Sequence, residues 1–351
     1  MKTYLITGGA GFIGSNFIQY IFNKSREKIL VINIDKLTYA GNLDNLRSVE
    51  SLENYKFIKG DICDAEILQE IFENFDIDCI VNFAAESHVD RSIEDPSIFI
   101  KTNILGTQTL LDISKKYWKI NDDFREGKKF IQISTDEVYG SLGKEGYFTE
   151  KTSIDPHSPY SASKASADLI VKSYYDTYKM PINITRCSNN YGPYQFPEKL
   201  IPLIINNCLN ERYIPVYGDG KNIRDWLHVE DHCRAIDLVI NKGVIGEVYN
   251  IGGNNEKENV QIVKYIISVL KNKGLSVSEE LIRYVEDRKG HDRRYAIDST
   301  KIKENLGFKP SLSFEDGMLK TLEWYLNNKM WLDKVGSGDY MNYYEKFYNK
   351  R

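Results

Sequence analysis

The sequence is poor in three features, and each absence narrows what the chain can do. It has no uninterrupted apolar run of roughly 18 residues, so no segment reads as a membrane-spanning helix. Its charges nearly cancel, at a net -4 over 351 residues, which gives no basic footprint for nucleic acid. Its five cysteines, Cys63, Cys79, Cys187, Cys208 and Cys233, are scattered and form no Cys-x-x-Cys pair. Neither a disulfide framework nor a cysteine-based metal site follows from that spacing. Reduced thiols packed as small core residues of a cytoplasmic protein fit it. Met1-Lys2-Thr3 leads straight into a strand-like segment, so no signal peptide is read at the start.

What the chain does have is a regular alternation of apolar strands and helical patterns. Hydrophobic residues make up 42%, enough to fill the cores of about two domains. Strand-like runs lie at 4–6, 29–34, 56–58, 79–83, 130–133 and 182–185, with helical patterns ending near 23 and covering about 64–74, 97–117 and 161–179. This alternation predicts an α/β fold, with a Rossmann-type, doubly wound parallel sheet over residues 1–188. Beyond Ser188, prolines at 193, 197, 202 and 215 and glycines at 218 and 220 break the rhythm. A smaller, irregular α/β lobe is expected there, mainly 189–330. Val248-Tyr249-Asn250-Ile251 reads as a strand, so a segment near 225–252 is expected to return to the main sheet. The tail, 331–351, is tyrosine-rich from Tyr340 to Tyr348 and is expected to dock on the body.

The first strand breaks at Gly8-Gly9-Ala10-Gly11-Phe12-Ile13-Gly14, and a helical pattern follows at once. Glycines there let the backbone turn tightly and approach a pyrophosphate, which the helix N-terminus stabilises. Asp35 stands 21 residues beyond Gly14, at the end of the second strand. A carboxylate in that place accepts ribose hydroxyls and repels a 2′-phosphate, which favours NAD over NADP. Asp61 closes the third strand, in reach of the adenine.

The richest stretch runs from Phe130 to Lys164. Thr135, Asp136 and Glu137 follow the apolar run Phe130-Ile131-Gln132-Ile133, where strand gives way to loop. Neighbouring side chains in a strand point to opposite faces, so only a strand that ends there aims both carboxylates into one site. Adjacent carboxylates in a confined site repel; one keeps its proton while the other ionises, which sets an acid beside a base. Tyr160 and Lys164 are four apart at a helix start and share one face. A tyrosine acting as a base near neutrality needs its pKa about three units below the usual ~10. Lys164 nearby, with the positive nicotinamide ring, is expected to supply that by favouring the phenolate. His228 and His232 have i, i+4 spacing but do not form His-Glu-x-x-His, and no metal site is read there.

The glycine turn, Ala84-Ala85-Glu86-Ser87-His88-Val89-Asp90-Arg91-Ser92, Thr135-Asp136-Glu137-Val138-Tyr139-Gly140 and Tyr160-x-x-x-Lys164 together resemble the extended short-chain dehydrogenase/reductases. Within that family the chain is similar to the sugar-nucleotide 4,6-dehydratases over roughly residues 1–325. The resemblance implies dTDP-glucose as substrate, oxidised at C4 by hydride loss to NAD with Tyr160 as the base and Thr135 as its partner. It implies that Glu137 removes the C5 proton, that Asp136 protonates the departing 6-hydroxyl, and that hydride returns to C6. It extends the cofactor contacts to Lys36, Thr38, Ile62, Ala84, Ala85, Ser87, Thr102 and Asn190. A nucleoside diphosphate needs cations and an apolar or aromatic slot for its base, and arginine pairs bidentately with phosphate oxygens. The resemblance places Ser87, His88, Asn189, Asn190, Lys199, Leu200, Pro215, Tyr217, Arg224, Asn259, His291 and Tyr295 at the substrate. It also implies a homodimer joined through a four-helix bundle of helices 97–117 and 161–179. A UDP sugar as substrate, a 4-epimerase, and a non-catalytic NAD-binding scaffold remain as alternatives; the epimerase leaves Asp136 and Glu137 without a task, and the scaffold has little reason to keep Thr135, Tyr160 and Lys164 together.

Overall fold

The computed structural model describes residues 1–25 and 29–337. The apolar strand segments carry too few polar residues to face water on either side. They assemble as a seven-stranded sheet in which every neighbouring pair is parallel. In space the order is Val248–Ile251, Ile182–Cys187, Lys129–Thr135, Cys79–Asn82, Lys2–Thr7, Ile29–Asp35, Tyr55–Lys59. The chain moves outward from Lys2–Thr7 to Tyr55–Lys59, then crosses to Cys79–Asn82 on the other side. Such a reversal opens a crevice at the carboxyl ends of the two central strands, where doubly wound sheets bind ligands. The predicted Rossmann-type sheet is present, and Val248–Ile251 pairs with Ile182–Cys187 at its edge.

Alternation along each strand divides the core. Ile6, Val31 and Val81 face Phe17 and Ile236 on one side; Leu5, Ile32 and Ile80 face Leu68 and Leu110 on the other. Burying a side chain of this size stabilises by about 1.5–3 kcal/mol, so both faces hold the crevice in fixed geometry. Beyond the sheet, Asn189–Tyr191, Ile223–His228 and Glu256–Glu258 form a small sheet, and Ile214–Tyr217 pairs with Ile282–Val285. Helices Leu200–Leu209, Asn259–Asn272 and Phe314–Asn327 pack in one core with Val216 and Trp226 of these strands.

One element differs from the sequence expectation. The helix expected over 97–117 is instead Pro96–Phe99, a π-wound turn over Ile100–Gly106, and Thr107–Trp118. In the wide turn, Asn103 accepts from the Glu86 amide at 2.8 Å and donates to the Glu86 carbonyl at 3.0 Å and Ser163 Oγ at 2.8 Å. Turns of this kind collect at functional sites. Arg224 lies in the strand Ile223–His228, and His228 caps the helix Val229–Lys242 that follows. The tyrosine-rich segment from Tyr340 to Tyr348 lies outside the described residues.

Candidate active site

The crevice begins at the glycine turn. Gly8 has φ of +67°, and a Cβ there would stand 2.6 Å from the Ala84 nitrogen. Only glycine lets the two central strand ends meet so closely. A Cβ at Gly14 would lie 2.4 Å from the Gly8 carbonyl oxygen, so helix Phe12–Lys24 packs directly on the turn. Gly11, at its N-cap, offers no side chain, which leaves the first amides and the helix dipole to an anion in the crevice. Asp35 is buried; Oδ2 accepts from the Ala10 amide at 2.9 Å and Oδ1 from the Leu37 amide at 2.8 Å. Its carboxylate therefore also braces the glycine turn, a task the spacing rule does not reveal. Two carboxylate oxygens still have lone pairs for ribose hydroxyls. Burial raises its pKa, and the two amides pull it back. Lys36 pairs with Asp61 at 2.8 Å on the same rim. Phe12, Ile13, Thr38, Ile62, Ala84, Ala85, Ser87, Thr102 and Asn190 complete the lining. A cradle that any Cβ would fill, beside a helix N-terminus and a buried acid, fits a dinucleotide.

At its inner end the cavity reaches Thr135, Asp136, Glu137, Tyr160 and Lys164. The strand stops at Thr135, and Asp136–Tyr139 coil into a single 3₁₀ turn. The Glu137 amide donates to the Thr135 hydroxyl at 3.3 Å, and buried Val138 and Tyr139 anchor the turn from behind. Both carboxylates thus enter one cavity although they are adjacent. Helix Pro159–Tyr178 starts with a capping box between Ser158 and Ser161 and with proline in its first turn. Tyr160 and Lys164 are consequently fixed in the opening turns, both buried.

The surroundings of the two acids are unequal. Burial, then the Glu137 charge, pushes Asp136 well above the usual carboxylate range, and its Oδ2 has no hydrogen-bond partner. Glu137 is also raised by burial, but Lys199, Arg224 and Arg288 pull it back. Of the two, Asp136 holds a proton more strongly and Glu137 releases one more readily. Tyr160 departs from expectation. Burial first, then the Glu137 charge, raises its pKa well above 10, against a hydrogen bond with Thr135. Lys164, itself lowered by burial, does not offset this. The chain alone keeps the phenol neutral, because removal from water outweighs the ammonium.

A second cavity continues from the first, with Ser87, Glu137, Asn189, Glu198 and Lys199 lining both. His88, Leu200, Pro215, Tyr217, Arg224, Asn259, His291 and Tyr295 line it farther out. Arg224 is held by the carbonyls of Ile223 at 2.8 Å and Asp292 at 2.9 Å and stacks 4.1 Å from the Tyr295 ring centre. Lys199 Nζ donates to the Ser87 carbonyl at 2.7 Å. Burial, then the charges of Lys199 and Arg288, holds His88 well below its usual pKa, so it is neutral. Arg288 also lines this cavity, and sequence reasoning missed it; its only signal was its place two residues before the basic cluster that starts at Gly290. Of the histidine pair, His228 accepts from the Glu230 amide as a helix cap, and His232 Nδ1 bonds Asn190 Oδ1 at 2.9 Å.

A family model described as GDP-mannose 4,6 dehydratase matches residues 5–321. A dTDP-glucose 4,6-dehydratase of Escherichia coli is 53% identical over 352 residues, covering 96% of this chain and 97% of that protein. A crystal structure of a dTDP-glucose 4,6-dehydratase from Bacillus anthracis, in complex with NAD, superposes with a TM-score of 0.86 at 51% identity, covering 95% of this chain and 100% of that one. A dTDP-glucose 4,6-dehydratase from Streptomyces venezuelae, with NAD and dTDP bound, gives a TM-score of 0.88 at 45% identity, covering 95% and 99%.

Proposed function

Because the chain belongs to the dTDP-glucose 4,6-dehydratases of the extended short-chain dehydrogenase/reductase family, we propose that it converts dTDP-glucose into dTDP-4-keto-6-deoxyglucose and water, with NAD as cofactor. The observation that carries this reading is the acid pair. Asp136 and Glu137 share one cavity, and burial raises both, but the cations facing Glu137 pull it back, so the surroundings favour the proton on Asp136 over Glu137. Elimination of water needs that combination, and oxidation alone does not.

NAD, when bound, takes hydride from C4 and returns it to C6. Tyr160 receives the proton of the 4-hydroxyl, and Thr135 holds the same oxygen. Lys164, together with the positively charged nicotinamide ring when NAD is bound, favours the phenolate that accepts this proton. The 4-ketone acidifies the C5 hydrogen, which Glu137 removes, while Asp136 gives its proton to the 6-hydroxyl as it leaves. Gly8, Gly11 and Gly14 receive the pyrophosphate with Phe12 and Ile13 at the helix start. Asp35 takes the ribose hydroxyls, and Asp61 with Ile62 meets the adenine. On the substrate side, Lys199 and Arg224 face the diphosphate, and Leu200, Pro215 and Tyr217 form the base slot. Ser87 and His88 lie beside the hexose, where a neutral imidazole can donate or accept without competing for the diphosphate.

We read 1–188 with the return near 225–252 as the cofactor half and 189–330 as the nucleotide-sugar lobe. Among the described residues no helix is long and apolar enough to cross a membrane, and we place the protein in the cytoplasm, at a step towards dTDP-rhamnose or other deoxysugars. Ile98, Ile100, Leu105 and Leu169 expose apolar side chains on the two helical segments proposed to pair with a second copy. That surface supports a homodimer built on a four-helix bundle.

The test is mass spectrometry of purified protein incubated with dTDP-glucose, and separately with UDP-glucose, without added cofactor. A product lighter by one water, formed faster from dTDP-glucose, is expected. Unchanged mass with glucose epimerised at C4 would replace this reading with a 4-epimerase.

A further inference from the structure

Asp90 lies on the short helix Val89–Glu94, directly after Ser87 and His88, and is only 3% exposed. Its carboxylate takes a two-point fork from Arg288, with Nε to Oδ1 at 2.7 Å and Nη2 to Oδ2 at 3.0 Å. The Tyr217 hydroxyl donates to the same Oδ2 at 3.2 Å, and the guanidinium stacks 5.2 Å from the Tyr217 ring centre. Arg288 and Tyr217 both line the outer cavity, whereas Asp90 does not. One buried acid of the sheet half thus grips a cationic and an aromatic wall residue of the lobe, across 198 positions of sequence.

We propose that Asp90 is a positioning residue for the nucleoside diphosphate: it fixes Arg288 and Tyr217 in the arrangement that receives the phosphates and base, without touching either. This deepens the reading given above and rests on it. Arginine on an irregular loop has many rotamers, and ordering it on ligand entry weakens binding; a fork already made removes that loss. Charge alone argues the opposite way. A carboxylate near an anion site repels the anion, so neutralising it should tighten binding if placement were irrelevant. The two effects differ in sign, which makes the substitution decisive.

Asp90→Asn, purified with its cofactor, is compared with wild type for steady-state turnover of dTDP-glucose and for calorimetric binding of dTDP. Positioning predicts that KM and the dTDP Kd both rise about tenfold while kcat stays within about twofold. In an Arg288→Lys background, which lacks the fork, the same substitution should change KM by less than about twofold. An unchanged or lower KM overturns the proposal. So does an equal factor in both backgrounds, or a fall in kcat that matches the rise in KM. If Asp90→Asn does not fold, Arg288→Lys alone carries the test, and an unchanged KM overturns it. Wild-type protein that binds dTDP but leaves dTDP-glucose unconverted would sink the dehydratase reading, while the ratio of dTDP affinities still decides the role of Asp90.

Discussion

Lys164 Nζ donates to the backbone carbonyl of Ile133 at 2.7 Å, so the helix that carries Tyr160 is tied to the strand that ends in the acid pair. One side chain thereby joins the helix of the tyrosine to the strand whose end carries the two acids. Lys164→Met should lower kcat by about 10²–10⁴-fold, as Tyr160→Phe should, since each disables proton transfer at the 4-hydroxyl. Single-turnover appearance of reduced nicotinamide is the measurement. A loss below about tenfold for Lys164→Met would leave the lysine with only its tie to Ile133.

Asp136→Asn combined with Glu137→Gln should stop elimination and spare oxidation. The shapes are kept, but neither amide can serve as acid or base. Reduced nicotinamide should accumulate on mixing with dTDP-glucose, with no lighter sugar product by mass spectrometry. Formation of 6-deoxy sugar at the parental rate would show that the pair has been given the wrong task.

The raised Asp136 also makes a statement about stability. Below the ordinary carboxylate pKa of about 3.9, folded and unfolded chains both hold this proton. Above it, the unfolded chain releases the proton while the folded chain keeps it. Stability from this group therefore falls as pH rises towards the folded pKa, by about 1.4 kcal/mol per unit. Asp136→Asn removes that slope. Its melting temperature should exceed that of wild type by a margin that grows from acidic to neutral pH. A margin independent of pH would mean that Asp136 is ionised in the folded protein.

Leu169 is 59% exposed and Ile100 56%. A charge at either position should split the proposed dimer, because desolvating it against an apolar face is unfavourable. Leu169→Glu should run as a monomer by light scattering while the wild type runs as a dimer. A dimer of unchanged strength would move the interface elsewhere.

The sheet was legible because continuous apolar runs such as Ile29–Asp35 have nowhere to go but between two helical layers. Thr135, Asp136 and Glu137 were legible because a strand that stops is visible as a change of pattern. The clamp of Asp90 on Arg288 was not, since nothing local links residues 198 positions apart. The neutral phenol of Tyr160 was not either: charge can be counted along a sequence, but removal from water depends on every layer packed above. The π-turn around Asn103 shares this origin, because its reason is a set of bonds to Glu86 and Ser163 from other elements.

The sheet's outermost strand, Val248–Ile251, sits beside Ile182–Cys187, yet some sixty residues of chain lie between them. During synthesis the sheet half cannot be completed when its own last helix and strand have emerged. Until residue 251 is made, Ile182–Cys187, buried along its whole length in the finished protein, is a bare edge open to pairing with any other strand. The nascent chain must therefore be made through residue 251 before the sheet is sealed, and a fragment cut after Cys187 would carry that open edge permanently.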